Sequence, residues 1–125
     1  MNNKSVLVID DDEISLLIVQ NALELEGYTT ITTMDSLLAA ELFKRHKPDV
    51  VILDIFMPEK DGFELIKELR DLSSDTFIIA ISANDQCLRT IKALGANIAI
   101  SKLNMPDAIV NRVKEWHELL TQPAK

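Results

Sequence analysis

A chain of 125 residues fits one domain, large enough to bury a single core without disulfides or a structural metal. Its 47% hydrophobic and 26% charged residues are those of a soluble globular protein, and a net charge of −7 argues against nonspecific binding to nucleic acid or an anionic membrane. Cys87 is the single cysteine and excludes an internal disulfide; with no signal pattern and no apolar run near the roughly 18 residues of a membrane span, a cytoplasmic protein is expected.

Short apolar runs alternate with longer segments of mixed polarity along the whole chain. A strand near 5–9 is followed by a helix near 13–26, a strand near 28–32 by a helix near 35–46, and a strand near 49–53 by a helix near 62–71. Strands near 76–81 and 97–100 then precede helices near 85–94 and 106–121. Gly27 and Pro48 end the first two helices, Asp61 with Glu64 reads as a capping box, Asn84 as an N-cap, Gly95 as a helix stop, and Pro106 suits the first turn of the last helix. Val50 to Leu53 and Phe77 to Ile81 are apolar at successive positions, as in parallel strands covered on both faces. Five βα units therefore predict an α/β fold with one doubly wound open sheet; a closed barrel needs eight units and roughly twice the length. A single domain over residues 1–125, with its core at about 4–121, is expected.

Polar residues stand at the carboxyl ends of four of these strands, where open α/β sheets carry their ligand crevice. Asp10 and Asp11 follow Val6 to Ile9, Asp54 follows Val50 to Leu53, Ser82 follows Phe77 to Ile81, and Lys102 follows the last strand. Taken singly, Asp12 reads as a helix N-cap, Ser82 as a turn hydroxyl, Lys102 as a solvated cation and Cys87 as packing. Placed jointly, Asp10, Asp11 and Asp54 are three carboxylates in one crevice, which calls for a hard divalent cation, Mg²⁺ with Mn²⁺ as a possible substitute. A carboxylate beside such an ion can attack phosphorus, and the hydroxyl of Ser82 and the cation of Lys102 complete a clamp for phosphoryl oxygens.

Val8-Ile9-Asp10-Asp11-Asp12, Leu53-Asp54-Ile55-Phe56-Met57-Pro58 with Gly62, Ile81-Ser82-Ala83 and Ser101-Lys102 closely resemble the receiver domains of two-component response regulators. The resemblance covers essentially the whole chain. It implies the flavodoxin-like (βα)5 fold with strand order 2-1-3-4-5, a fold for which a receiver protein is a standard example. It also implies that Asp54 is the phosphoacceptor, that Asp11, Asp54 and the Phe56 carbonyl ligate Mg²⁺ with Asp10 acting through a water, and that Ser82 and Lys102 bind the phosphoryl oxygens. Such a protein is a phosphoacceptor that assists its own phosphorylation and dephosphorylation rather than an enzyme.

Three positions depart from the family pattern. Leu103 stands where a cis proline usually follows the lysine; a cis bond before a non-proline costs about 3 kcal/mol, so a trans bond with an altered placement of Lys102 is expected. Ala99 stands where an aromatic usually reports movement of the hydroxyl residue, so signalling is expected to run through the backbone of 82–94 or another surface. Phe56 and Asn84 flank the mouth of the site, and a bulky Phe56 is expected to hinder the hydrolytic water.

The helix near 13–26 carries more apolar residues than one core stripe requires, and the resemblance makes it the docking surface for a sensor histidine kinase or a histidine phosphotransfer protein, through Ile14 and Leu17. Only Thr121 to Lys125 follow the last helix, so no effector domain is expected in the chain and output is expected through an unknown protein partner, without direct contact to nucleic acid or membrane. Trp116 reads as packing or partner surface and His117 as a solvated side chain. Two alternatives stay open: a degenerate receiver used only for binding, and a haloacid-dehalogenase-like phosphohydrolase with Asp10 as nucleophile.

Overall fold

The computed structural model describes residues 4–121. Five strands, β1 (Ser5–Ile9), β2 (Thr29–Thr33), β3 (Val50–Asp54), β4 (Phe77–Ser82) and β5 (Ile98–Ser101), alternate with helices α1 (Glu13–Leu25), α2 (Ala39–His46), α3 (Gly62–Leu72), α4 (Leu88–Ala93) and α5 (Asp107–Thr121). The strands form one parallel sheet in the order β2-β1-β3-β4-β5, as expected.

Successive side chains of a strand point to opposite faces, so a strand buried on both sides must be apolar throughout. Leu7, Ile9, Val51, Leu53 and Ile78 pack on one face with Phe43, Leu65, Leu69 and Ile91, from α2, α3 and α4. Their neighbours Val6, Val8, Val50, Ile52 and Ile79 pack on the other with Leu16, Val19 and Leu23 of α1 and Ile109 and Val113 of α5. Each fully buried aliphatic side chain contributes roughly 1.5–3 kcal/mol. The Thr-rich β2 is an edge strand and none of its residues is fully buried.

Four strands begin and end one residue later than the apolar runs suggest. The backbone ladder continues past the last apolar side chain: Asp54 pairs with Ile81 and Ser82 with Ser101. The helices differ at their entries. Ser36–Leu38 and Asp85–Cys87 are 3-10 turns that lead into α2 and α4, and a third, Lys102–Asn104, follows β5. Each opens on a side-chain cap, Asp35, Asn84 or Ser101, which bonds the amide two residues on and tightens the first turn. Pro106 lies just before α5 rather than in its first turn, its carbonyl accepting from the Val110 N–H at 3.1 Å. The cap at Asp61 is as expected, accepting from the Glu64 N–H at 3.0 Å.

Candidate functional site

Asp10, Asp11 and Asp54 converge at the carboxyl edge of β1 and β3, with a carboxylate oxygen from each within 4.8 Å of the others. The adjacency of those strands, fixed by the pairing of Ile9 with Leu53, makes this unavoidable. Asp10 and Asp54 are only 3% and 4% exposed, whereas Asp11 is more accessible. Lys102 reaches in from the end of β5, its Nζ 3.2 Å from Asp54 Oδ2 and 3.7 Å from Asp10 Oδ2.

One lysine stands against three carboxylates, and burial is the first influence on their ionisation. Burial, aided by the charges of Asp54 and Asp11 and opposed by the Asp12 N–H and Lys102, raises the Asp10 pKa to about 6. Burial also raises that of Asp54, against the pull of Lys102. Burial works against the charge on Lys102, but Asp54 and Asp10 outweigh it and hold the ammonium above its ordinary pKa. Two buried carboxylates that resist ionisation beside a third are the donor set of a hard, oxygen-seeking divalent cation, so the residues fit the metal the sequence called for.

The acidic loop is built by its own hydrogen bonds. The Asp12 N–H donates to Asp10 Oδ1 at 2.9 Å, fixing one oxygen of that carboxylate. Asp12 turns the other way and caps α1, accepting from the Ser15 N–H at 3.2 Å and its hydroxyl at 2.6 Å. A carboxylate committed to Ser15 is poorly placed as a general acid, which removes the role that the phosphohydrolase reading needs.

Gly62 anchors the loop after Asp54. Its N–H donates to the Ile55 carbonyl at 2.8 Å, and a Cβ there would lie 2.6 Å from Ile55 Cα and 2.9 Å from the Asp54 carbonyl. Only glycine permits that approach. The sequence offered this residue as part of a motif, without its reason. Ser36 adds a second tie, its hydroxyl donating to the Pro58 carbonyl at 3.3 Å, which no sequence signal indicated.

Ser82 is fully buried at the end of β4, one step beyond the residue that pairs with Asp54. Its hydroxyl donates to the Asn84 carbonyl at 2.9 Å and accepts from the Asn84 N–H at 3.0 Å, so it closes a turn rather than touching Asp54 or Lys102. The Phe56 side chain is half exposed and packs edge-on against Phe63, ring centroids 6.5 Å apart. Among the described residues the cis bond lies at Met105-Pro106, not at Lys102-Leu103, and Lys102 still reaches both carboxylates. Ala99 is half-buried against the core.

On α1, Leu16, Val19 and Leu23 face the core, while Ile14 and Leu25 are 68% and 86% exposed, with Leu17 and Ile18 partly so. The expected outward-facing apolar surface is present. His117 is not simply solvated: its Nδ1 lies 3.3 Å from the Tyr28 hydroxyl, and Trp116 stacks on Phe77. Among the described residues no helix is long and apolar enough to cross a membrane.

The family model for the response regulator receiver domain matches residues 6–114. The alkaline phosphatase synthesis transcriptional regulatory protein PhoP of Bacillus subtilis is 34% identical over 114 residues, 90% of this chain and 48% of PhoP. The chain spans about half the length of the curated relatives it matches. The receiver domain of Francisella response regulator 1452 superimposes with a TM-score of 0.87 at 27% identity, covering 95% of this chain and 100% of that one. Response regulator TrrA of Thermotoga maritima, solved in complex with Mg²⁺-BeF, gives a TM-score of 0.83 at 29% identity over 90% of this chain and 97% of its own. With its flavodoxin-like sheet and its acidic strand ends, this chain belongs to the receiver domain family of two-component response regulators.

Proposed function

We propose that the domain takes a phosphoryl group from a phosphohistidine onto Asp54 and signals by a change in protein binding. The observation that carries this is the buried Asp54 carboxylate, 3.2 Å from Lys102 and inside a cluster of three acids. A free Asp54 oxygen attacks phosphorus in line, the P–N bond breaks, and the imidazole nitrogen leaves with the electron pair and gains a proton. Mg²⁺, held by Asp11, Asp54 and the Phe56 carbonyl, with Asp10 through a water, would neutralise the charge gathered on the phosphoryl oxygens. Lys102 pairs with one of those oxygens once the Asp54 charge is spent, and Ser82 turns from Asn84 to donate to another.

The comparison structure, solved in complex with Mg²⁺-BeF, supports a Mg²⁺ site in this domain. Ile14 and Leu17, exposed on α1 beside the pocket, receive the phosphodonor protein, a sensor histidine kinase or a histidine phosphotransfer protein in the cytoplasm. Charged replacements there slow transfer from that protein and spare reaction with a small phosphodonor. Phe56 at the mouth impedes the hydrolytic water and lengthens the phosphoryl lifetime; a Phe56→Asn variant that loses phosphate no faster refutes this.

One observation favours a binding-only module instead: the Ser82 hydroxyl is committed to the Asn84 backbone. Intact mass after incubation with acetyl phosphate and Mg²⁺ separates the readings. A stable added phosphoryl group absent from Asp54→Ala supports the receiver, no reaction supports the binding module, and continuous turnover lost in Asp10→Ala supports a phosphohydrolase.

A further inference from the structure

The amino-terminal edge of the sheet, a strand length from Asp54, carries a groove of about 510 Å³ that the phosphoryl chemistry does not use. Apolar Phe43, Pro48 and Leu72 line it with Ser73, Thr76 and the exposed Lys44 and Lys47. The groove lies between the ends of α2 and α3, roughly 16 Å from the acidic site along β3. Its volume is that of a ligand pocket, enough for one or two large side chains.

Charge distinguishes it. In a chain of net charge −7, Lys44, Arg45, His46 and Lys47 form an uninterrupted basic run, all four exposed. Arg45 is paired with Glu41 at 3.7 Å, but neither Lys44 nor Lys47 makes an ion pair with a described residue. Lys47 is held in the left-handed conformation, φ 46°, with its N–H bonded to the Phe43 carbonyl and Pro48 next in the chain. Glycine ordinarily takes that position, and a lysine there is fixed beside the groove at a small backbone cost. Favourable interaction with the end of the α2 dipole accounts for basic residues in this turn. It does not account for an apolar groove opening between the two lysines that lack partners.

We infer that this groove docks an acidic segment of a partner protein, seating one apolar side chain on Phe43, Pro48 and Leu72 while flanking carboxylates pair with Lys44 and Lys47. The mode is peptide capture by an anchor pocket with a charged rim, in which complementary charge sets specificity and on-rate. It is independent of the phosphoryl site and stands whether or not Asp54 is phosphorylated.

The test is selection of short randomised peptides on the full chain, followed by titration of a selected synthetic peptide into ¹⁵N-labelled protein. Expected are sequences with Asp or Glu flanking one Leu, Ile or Phe, shifts confined to the amides of the lining residues Phe43, Lys44, Lys47, Leu72, Ser73 and Thr76, and binding that weakens with salt. K44E/K47E weakens binding at least about tenfold, and the milder K44Q/K47Q, which is isosteric enough to keep the amide spectrum, weakens it less. Selection of non-acidic peptides, shifts elsewhere, or unchanged affinity in both double variants overturns the inference. So does a groove that responds only to inorganic phosphate, or only to a second copy of this chain in sedimentation.

Discussion

The two ends of the sheet handle charge in opposite ways. At the carboxyl end, Asp10, Asp11 and Asp54 crowd one lysine, and burial holds Asp10 and Asp54 above their ordinary pKa values. At the amino end, Arg70 spreads its fork over waiting acceptors: Nε to the Gly95 carbonyl at 2.8 Å, Nη1 to the Thr76 carbonyl at 2.8 Å and Nη2 to Asn97 Oδ1 at 2.7 Å. Asn97 Oδ1 also accepts from the Ile78 N–H at 2.8 Å, so one guanidinium ties α3 to β4 and to the turn before β5. A half-buried guanidinium whose donors all meet acceptors ties its neighbours together, whereas a frustrated cluster stores the potential to bind a cation. The fold is secured at one end and left wanting at the other, which is where the proposed chemistry lies.

The largest effect expected is from Gly62→Ala. The new Cβ would meet backbone at 2.6 Å, and backbone cannot yield as a side-chain tip can; a loss of about 3 kcal/mol or more is expected in urea unfolding, with weakened phosphorylation because Asp54 and Ile55 must move. Next comes Arg70→Met, which takes the guanidinium donors from the Gly95 and Thr76 carbonyls and one of the two donors from Asn97 Oδ1. A loss of about 2–3 kcal/mol is expected, with the extent of Asp54 phosphorylation unchanged by mass. If Arg70→Met instead blocks phosphorylation while sparing stability, the division between the two ends is wrong.

Asp10→Asn should act in the opposite direction. The folded-state pKa of Asp10 is about 6 against 3.8 for the free side chain, so between these values the folded state binds more protons than the unfolded. Its contribution to stability therefore falls as pH rises from about 4 to 6 and stays unfavourable above. Removing the charge stabilises the metal-free protein on the order of 2 kcal/mol at pH 7 and by little near pH 4. Thermal unfolding at the two pH values reads this directly, and a destabilised variant at pH 7 would sink it. The smallest effect is from Glu41→Ala, which breaks the exposed pair with Arg45 at 3.7 Å and should change stability by less than about 0.5 kcal/mol. Arg45 and Arg70 lie at the same end of the sheet, and only burial and geometry separate their worth.

The fold was legible because its signals are local. Four consecutive apolar residues at Val50 to Leu53 require cover on both faces, and Gly27, Asp61 and Gly95 punctuate the helices by backbone chemistry that acts within one turn. The site was legible in outline for a related reason: parallel strands deliver their carboxyl ends to one edge, so Asp10, Asp11, Asp54 and Lys102 had to meet there. The 3-10 entries to α2 and α4 were not legible, since a cap at Asp35 or Asn84 fits an α-helical start equally well.

What the amino-acid sequence determined by itself is therefore the alternation of elements, the parallel sheet and the residue types at its carboxyl edge. The local turns of Asp12 and Ser82 belong to that sequence reading too, and tertiary structure alone decided the long-range partners. It sent Lys102 to Asp54 and Asp10, gathered distant acceptors around Arg70, and opened the groove beside Lys44 and Lys47. Those outcomes depend on donors and acceptors far apart in the chain. Local propensity carries no information about them, because only packing sets the distances over which such groups compete.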